Sequence, residues 1–210
     1  MLARAETVQL TGGETLYDEG DLNRIYFPSS GCIALTMTID GAASLEVALI
    51  GDEGACGFEL VLGIDRSTVR AVAQGAGSGL RVNTVSFKRQ LAASIPLARM
   101  MGRYVHVHLN QLAQLAACTR FHVVEQRLAR WLLMTQDRAH ADTFHLTHQL
   151  LSSILGVRRV GVTRAAGALQ DRGLIEYRRG RITVLNRRGL KTASCSCYAA
   201  DRRSYENAFE

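Results

Sequence analysis

The sequence predicts an α+β chain in three parts: a β-roll or jelly roll over residues 1–95, a long helix over 96–120, and a helical unit closed by a β-hairpin over 121–210. Three observations carry this division. Glycines punctuate short apolar runs through the first ~90 residues, as in all-β barrels and rolls. Glycine and proline then nearly vanish between Phe87 and Ala139, leaving only Pro96 and Gly102. Finally, residues 1–120 hold 10 Lys and Arg against 11 Asp and Glu, whereas residues 121–210 hold 15 against 8, so the net +6 sits in the last 90 residues.

In the first part, the runs Ile33–Ile39 and Leu45–Ile50 flank Asp40-Gly41. That dipeptide marks a hairpin, because tight primed turns need positive φ. In the second part, Pro96 opens a helix on which Met101, Val105, His108, Leu112, Leu115 and Thr119 recur at spacings of four and three. This is a coiled-coil period, and it predicts a dimer interface formed by Met101, Val105, His108, Leu112 and Leu115. A break near Cys118–His122 precedes a second helix, Val123 to about Asp137, with Val124, Leu128, Trp131 and Leu132 on its apolar stripe. His140-Ala141-Asp142 reads as a loop.

The third part is dense with local signals. Thr147 is an N-cap for a short helix whose apolar face is Leu150, Leu151, Ile154 and Leu155, and Gly156 stops it. A second helix follows from about Arg158 to Arg172, with Val162, Ala165, Ala166 and Leu169 inward and Gly173 as its end. Two short helices joined through a glycine turn form a helix-turn-helix, whose second helix enters the DNA major groove. Arg158, Arg159, Thr163 and Arg164 fall on the side away from the apolar stripe, where arginines can reach guanine O6 and N7 or phosphates. Leu174 to Leu185 then reads as two strands around an Arg-Gly turn, a wing whose Arg178, Arg179 and Arg181 face backbone phosphates. Thr147 and His148, at the start of the first helix, complete the predicted DNA-contacting set. Arginine supplies 14 of the 15 cations after residue 120, and its planar fork suits phosphate and guanine.

Together these features resemble the Crp/Fnr family of bacterial transcription regulators along essentially the whole chain. Gly13-Glu14-Thr15-Leu16-Tyr17-Asp18-Glu19-Gly20-Asp21 looks like the G-E-x-L-x-x-x-G-D opening of that family's cyclic-nucleotide-binding-type β-roll, and Gly31 stands where the family places a glycine. Gly156-Val157-Arg158-Arg159 through Val162 and Arg164 to Leu174-Ile175 matches its recognition-helix pattern without a gap. The resemblance implies a winged helix-turn-helix that reads base edges through Arg159 and Arg164. Val160 replaces the acidic residue common after the first of these, so the family's usual half-site does not carry over. It also implies double-stranded DNA and a second copy of the chain as partners, RNA polymerase as a further one, and a cytoplasmic, non-enzymatic role.

The family's phosphate-binding cassette corresponds to Gly54-Ala55-Cys56-Gly57-Phe58-Glu59 leading to Arg66-Ser67-Thr68. Arg66 and Ser67 are the groups that would hold a cyclic phosphate. Ala55 replaces the glutamate that would accept the ribose hydroxyl, and a site built around such a bond loses much by losing it. The expectation is therefore no cofactor and a signal other than cyclic AMP, with a cyclic nucleotide on Arg66 and Ser67 as the alternative; without a ligand, Arg66 would pair with Asp65 or Glu59. No cysteine precedes Cys32, which argues against an N-terminal iron–sulfur cluster. Cys195-Ser196-Cys197 is the one close cysteine pair, its spacing is short for a zinc knuckle, and no second pair completes a site, so no metal is expected. Two other readings carry less: a cupin-like metal enzyme using His106 and His108, whose helical setting turns them ~200° apart, and a sensor module whose basic tail holds a protein or RNA.

Overall fold

The computed structural model describes residues 5–41 and 43–210. Among the described residues nine short strands come first: β1 (Glu6–Leu10), β2 (Thr15–Tyr17), β3 (Gly20–Asp21), β4 (Arg24–Ser30), β5 (Ile33–Ile39), β6 (Ala43–Ile50), β7 (Arg66–Ser67), β8 (Arg70–Ala73) and β9 (Gly77–Asn83). They form antiparallel sheets ordered β1-β9-β4, β2-β8-β5-β6 and β3-β7, the roll expected from the glycine-punctuated pattern. Asp40 and Gly41 both take positive φ, 51° and 68°, and Ile39 pairs with Ala43 across that turn. Ile33, Leu35, Ile50, Ala71 and Ala73 fill the space between the sheets.

Helix α1 (Thr84–Ala93) starts three residues before the expected change of pattern, because the Asn83 side chain caps it by accepting from the Ser86 amide at 2.8 Å. Helix α2 (Ile95–Phe121) is opened by Ser94, whose hydroxyl accepts from the Leu97 amide, with proline in its first turn. Its 27 residues span about 40 Å. Helix α3 (Val124–Ala139) follows the break at His122, with Leu128, Leu132 and Leu133 fully buried.

The helix-turn-helix is α4 (His148–Leu155) and α5 (Arg159–Asp171), and the wing is β11 (Ile175–Arg178) and β12 (Arg181–Val184). A short strand, β10 (Thr143–His145), follows the expected loop His140–Asp142 and pairs with β12, making the wing three-stranded. One core joins Leu128, Leu132, Leu151, Val162, Leu169, Ile175 and Ile182.

Two helices lie where the sequence offers no reading, α6 (Arg187–Ala193) and α7 (Cys197–Phe209). Helix α7 runs back along α2: Cys197 accepts from Gln114 Nε2 at 2.9 Å, while Ser204 accepts from Asn110 Nδ2 at 3.3 Å, an antiparallel order. Buried Arg130 of α3 holds Asp201 of α7 at 2.6 Å.

The β-roll and the helical unit meet closely. Trp131 of α3 donates its indole N–H to buried Glu46 of β6 at 2.7 Å, and Arg138 binds Glu53 at 2.7 Å. Burial pushes the Glu46 carboxyl up to about 7, against the opposing hydrogen bonds from Trp131 and Gln74.

Three of the five residues of the expected dimer seam lie inside the chain's own core. Met101, Val105 and His108 are buried within the chain; Met101 packs in the core that holds Leu60 and Phe87, and His108 lies 4.2 Å from the Phe58 ring. Leu112 and Leu115 border a small cavity shared with Trp131, Ile154 and Leu155. Gly102, His106, Leu109, Ala113 and Ala116 form an outward row, again spaced four and three, and Leu112 beside it is 36% exposed. One helix carries this period on adjacent faces, and the stripe with larger apolar side chains gains more by burial in its own chain. Among the described residues no helix is long and apolar enough to cross a membrane.

Candidate nucleic-acid interface

The interface is built on local rules that position α5. The Thr147 hydroxyl accepts from the Leu150 amide at 3.2 Å and so starts α4. Gly156 ends it at φ 60°, its N–H closing on the Ser152 and Ser153 carbonyls. A side chain there would be strained, and its Cβ would also stand 2.9 Å from Leu45 of the β-roll. The turn then aims α5, whose Val162, Ala165, Ala166 and Leu169 are buried.

The opposite face of α5 presents Arg158, Arg159, Thr163 and Arg164, all exposed. The wing turn follows, with Arg179 at φ 51° and Gly180 at φ 75° between the paired Arg178 and Arg181. The Leu146 amide, donating to the Gly180 carbonyl at 2.7 Å, pins the turn beside the start of α4. Arg178 and Arg181 share the outward face of the wing and line a shallow cleft with Arg179, Thr143 and His145.

Charge pairing separates two groups of arginines. Arg130, Arg138, Arg172 and Arg187 bind Asp201, Glu53, Glu125 and Asp137. Among the described residues, Arg158, Arg159, Arg164, Arg178, Arg179 and Arg181 form no ion pair. Six unneutralised guanidinium groups on one helix face and its adjoining wing form a surface suited to a polyanion.

The remaining predicted contacts take a bracing position. His148 is partly buried, its ring stacked on Tyr177 at 4.6 Å and 13°, and its Nδ1 lies 3.2 Å from the Thr163 hydroxyl. That hydroxyl also donates to the Arg159 carbonyl at 3.0 Å. His148 thus ties α4 to α5 and to the wing, and Thr147 is occupied as the cap.

The groups assigned to a cyclic phosphate are not brought together. The Arg66 side chain is 77% exposed and lies 3.7 Å from Asp21, its neighbour across β3 and β7. It pairs with neither Asp65, which binds Lys88, nor Glu59. Ser67 is buried and donates to Glu59 Oε1 at 2.7 Å while accepting from the Val69 amide at 3.2 Å. Ala55 is buried and offers no acceptor for a ribose hydroxyl. His106 and His108 lie on α2, one exposed and one buried, as the helical phase requires.

The structure also assembles four residues the sequence leaves apart: Cys118 and His122 at the end of α2 meet Cys195 and Cys197. The close pair thus acquires partners in Cys118, 77 positions before Cys195, and His122, which spacing along the sequence does not reveal.

Residues 126–193 match the Crp-like helix-turn-helix domain family, which spans α3 through α6. The chain is 26% identical over 189 residues to a global nitrogen regulator of Synechococcus elongatus, covering 85% of each. Its fold matches that of FixK2 from Bradyrhizobium japonicum, with a TM-score of 0.76 at 18% identity over 91% of this chain and 98% of that one. A Crp/Fnr-family regulator from Thermus thermophilus is similar at a TM-score of 0.73 and 21% identity, over 90% and 98% of the two chains. Residues 126–193 thus form a Crp-like helix-turn-helix domain, and the chain as a whole shares the fold of these solved structures over about nine-tenths of its length.

Proposed function

We propose that the chain acts as a homodimer on a palindromic DNA site, inserting α5 of each copy into successive major grooves. Residues 1–95 would form the input unit, 96–120 the dimer helix and 121–210 the reading unit. The observation that carries this reading is the set of six unpaired, exposed arginines on α5 and the wing. Arg159 and Arg164 read base edges, Arg158 and the wing arginines hold phosphates, and His148 and Thr163 set the angle of α5. The two copies meet through Gly102, His106, Leu109, Ala113 and Ala116; Leu109 is 59% exposed on a single chain. The signal enters through the β-roll and is not cyclic AMP, since Ser67 is already engaged and Arg66 points to solvent.

Selection of bound sequences from a random duplex pool tests this, run with and without cyclic nucleotides. The expected product is an inverted repeat with half-site centres about 34–36 Å apart, unchanged by the nucleotides. Enrichment of single half-sites would remove the dimer, and absence of any enrichment would remove sequence-specific reading.

A further inference from the structure

We propose that Cys118, His122, Cys195 and Cys197 form a mononuclear zinc site that clamps the C-terminal helix onto the end of the dimer helix. Their ligand atoms all lie within 4.8 Å of one another. The Cys118 and Cys195 sulfurs are 3.6 Å apart, and Cys197 Sγ is 3.4 Å from His122 Nδ1. Zinc bound tetrahedrally at ~2.3 Å from sulfur and ~2.0–2.1 Å from nitrogen would set these edges at about 3.8 Å and about 3.5 Å. Four donors this close enclose one ion. An iron–sulfur cluster would seat its thiolates on different irons and hold them farther apart.

The donor set is also chemically matched. Three thiolates and one imidazole make a closed structural zinc site. All five cysteines are free and buried, and Cys118, Cys195 and Cys197 form a sulfur cluster of their own. Cys118 and His122 are four residues apart at the end of α2 and so share one face, which makes half of a preformed site.

Its place gives it a role. The cluster sits where α2 ends, one residue before the Val123 cap of α3, and it fixes the linker between α6 and α7. A bound ion would hold α7 along α2, keeping Asp201 on Arg130 and Tyr205 near Glu53 of the β-roll. It would stiffen the joint between input and reading units.

Metal analysis of the untagged full chain, purified without chelator, should find about one zinc per chain. Cobalt added after zinc removal should give the visible ligand-field bands of a tetrahedral thiolate site. Replacing Cys195 and Cys197 with Ala together should abolish both signals, and Cys32→Ala, which alters a cysteine of the roll, should keep them. Less than about 0.1 equivalent of zinc with no cobalt bands would overturn the proposal. So would a Cys118–Cys195 disulfide in protein alkylated at lysis, or metal retained by the Cys195→Ala, Cys197→Ala variant.

Discussion

The arginines of α5 and the Arg66–Ser67 pair of the β-roll are both marked by the sequence for phosphate, yet the fold treats them oppositely. Arg159 and Arg164 stand exposed on a buried-backed helix with no carboxylate partner among the described residues. Ser67 spends its hydroxyl on Glu59, and Arg66 lies on the outer surface beside Asp21. Of the roll's pair, then, only Ser67 is engaged within the chain, while Arg66 is held loosely at the surface. What separates Ser67 from the α5 arginines is that its hydrogen-bonding needs are already met within the chain. An unmet charge held on a rigid element is available to a ligand, whereas a satisfied one must first break what it has.

Glu46 offers the largest test of that distinction, because it is a polar group of the roll satisfied only from within. Its folded carboxyl titrates at about 7, above the usual 4.5, because of burial. Between those values the folded protein holds a proton that the unfolded chain has released, so stability falls as pH rises through the window. Glu46→Gln should remove this dependence and stabilise the protein by roughly 3 kcal/mol at neutral pH, seen as parallel melting profiles of wild type and variant diverging above pH ~5. Identical profiles would mean that Trp131 and Gln74 hold the carboxylate as well as water does.

The wing gives a smaller effect. Replacing Arg178 and Arg181 together with Ala should weaken binding to every duplex on the order of tenfold. It should also lower the slope of log K against log salt by about 4, since two arginines in each of two copies lose phosphate contacts worth roughly 0.9 each. A loss confined to one DNA sequence would make these arginines base readers. The smallest effect belongs to the roll: Arg66→Ala should change stability by less than ~0.5 kcal/mol, as exposed ion pairs contribute little. It should leave DNA binding unchanged in the presence or absence of cyclic nucleotide. A nucleotide-dependent rise in melting temperature that the variant lost would restore the phosphate-site reading.

Much of the reading unit was legible in the sequence because its signals are local. Thr147, Gly156 and the Arg179-Gly180 turn each act within a few residues, and all occur where expected. The roll was legible through its glycines, although Arg66 pairs with Asp21, a cross-strand partner 45 residues away that spacing could not identify. Strand β10 was missed because three residues carry too little pattern, and it exists by pairing with β12. The long helix was found, but Met101, Val105 and His108, which carry the period expected of a dimer seam, pack in the chain's own core. Helix α7 and the Cys118–His122–Cys195–Cys197 cluster depend on contacts between distant segments, which only the folded chain brings together.

The central claim is that α5 reads sequence through arginines the fold leaves unpaired. It is tested most directly by measuring Arg159→Ala against wild type on the selected palindrome and on random duplex at one salt concentration. Each arginine contributes about 1–3 kcal/mol of discrimination at its base. With two copies per site, affinity for the palindrome should fall on the order of 100-fold, while affinity for random duplex falls only a fewfold. An equal fall on both would contradict base reading by Arg159 and leave it as one more phosphate contact.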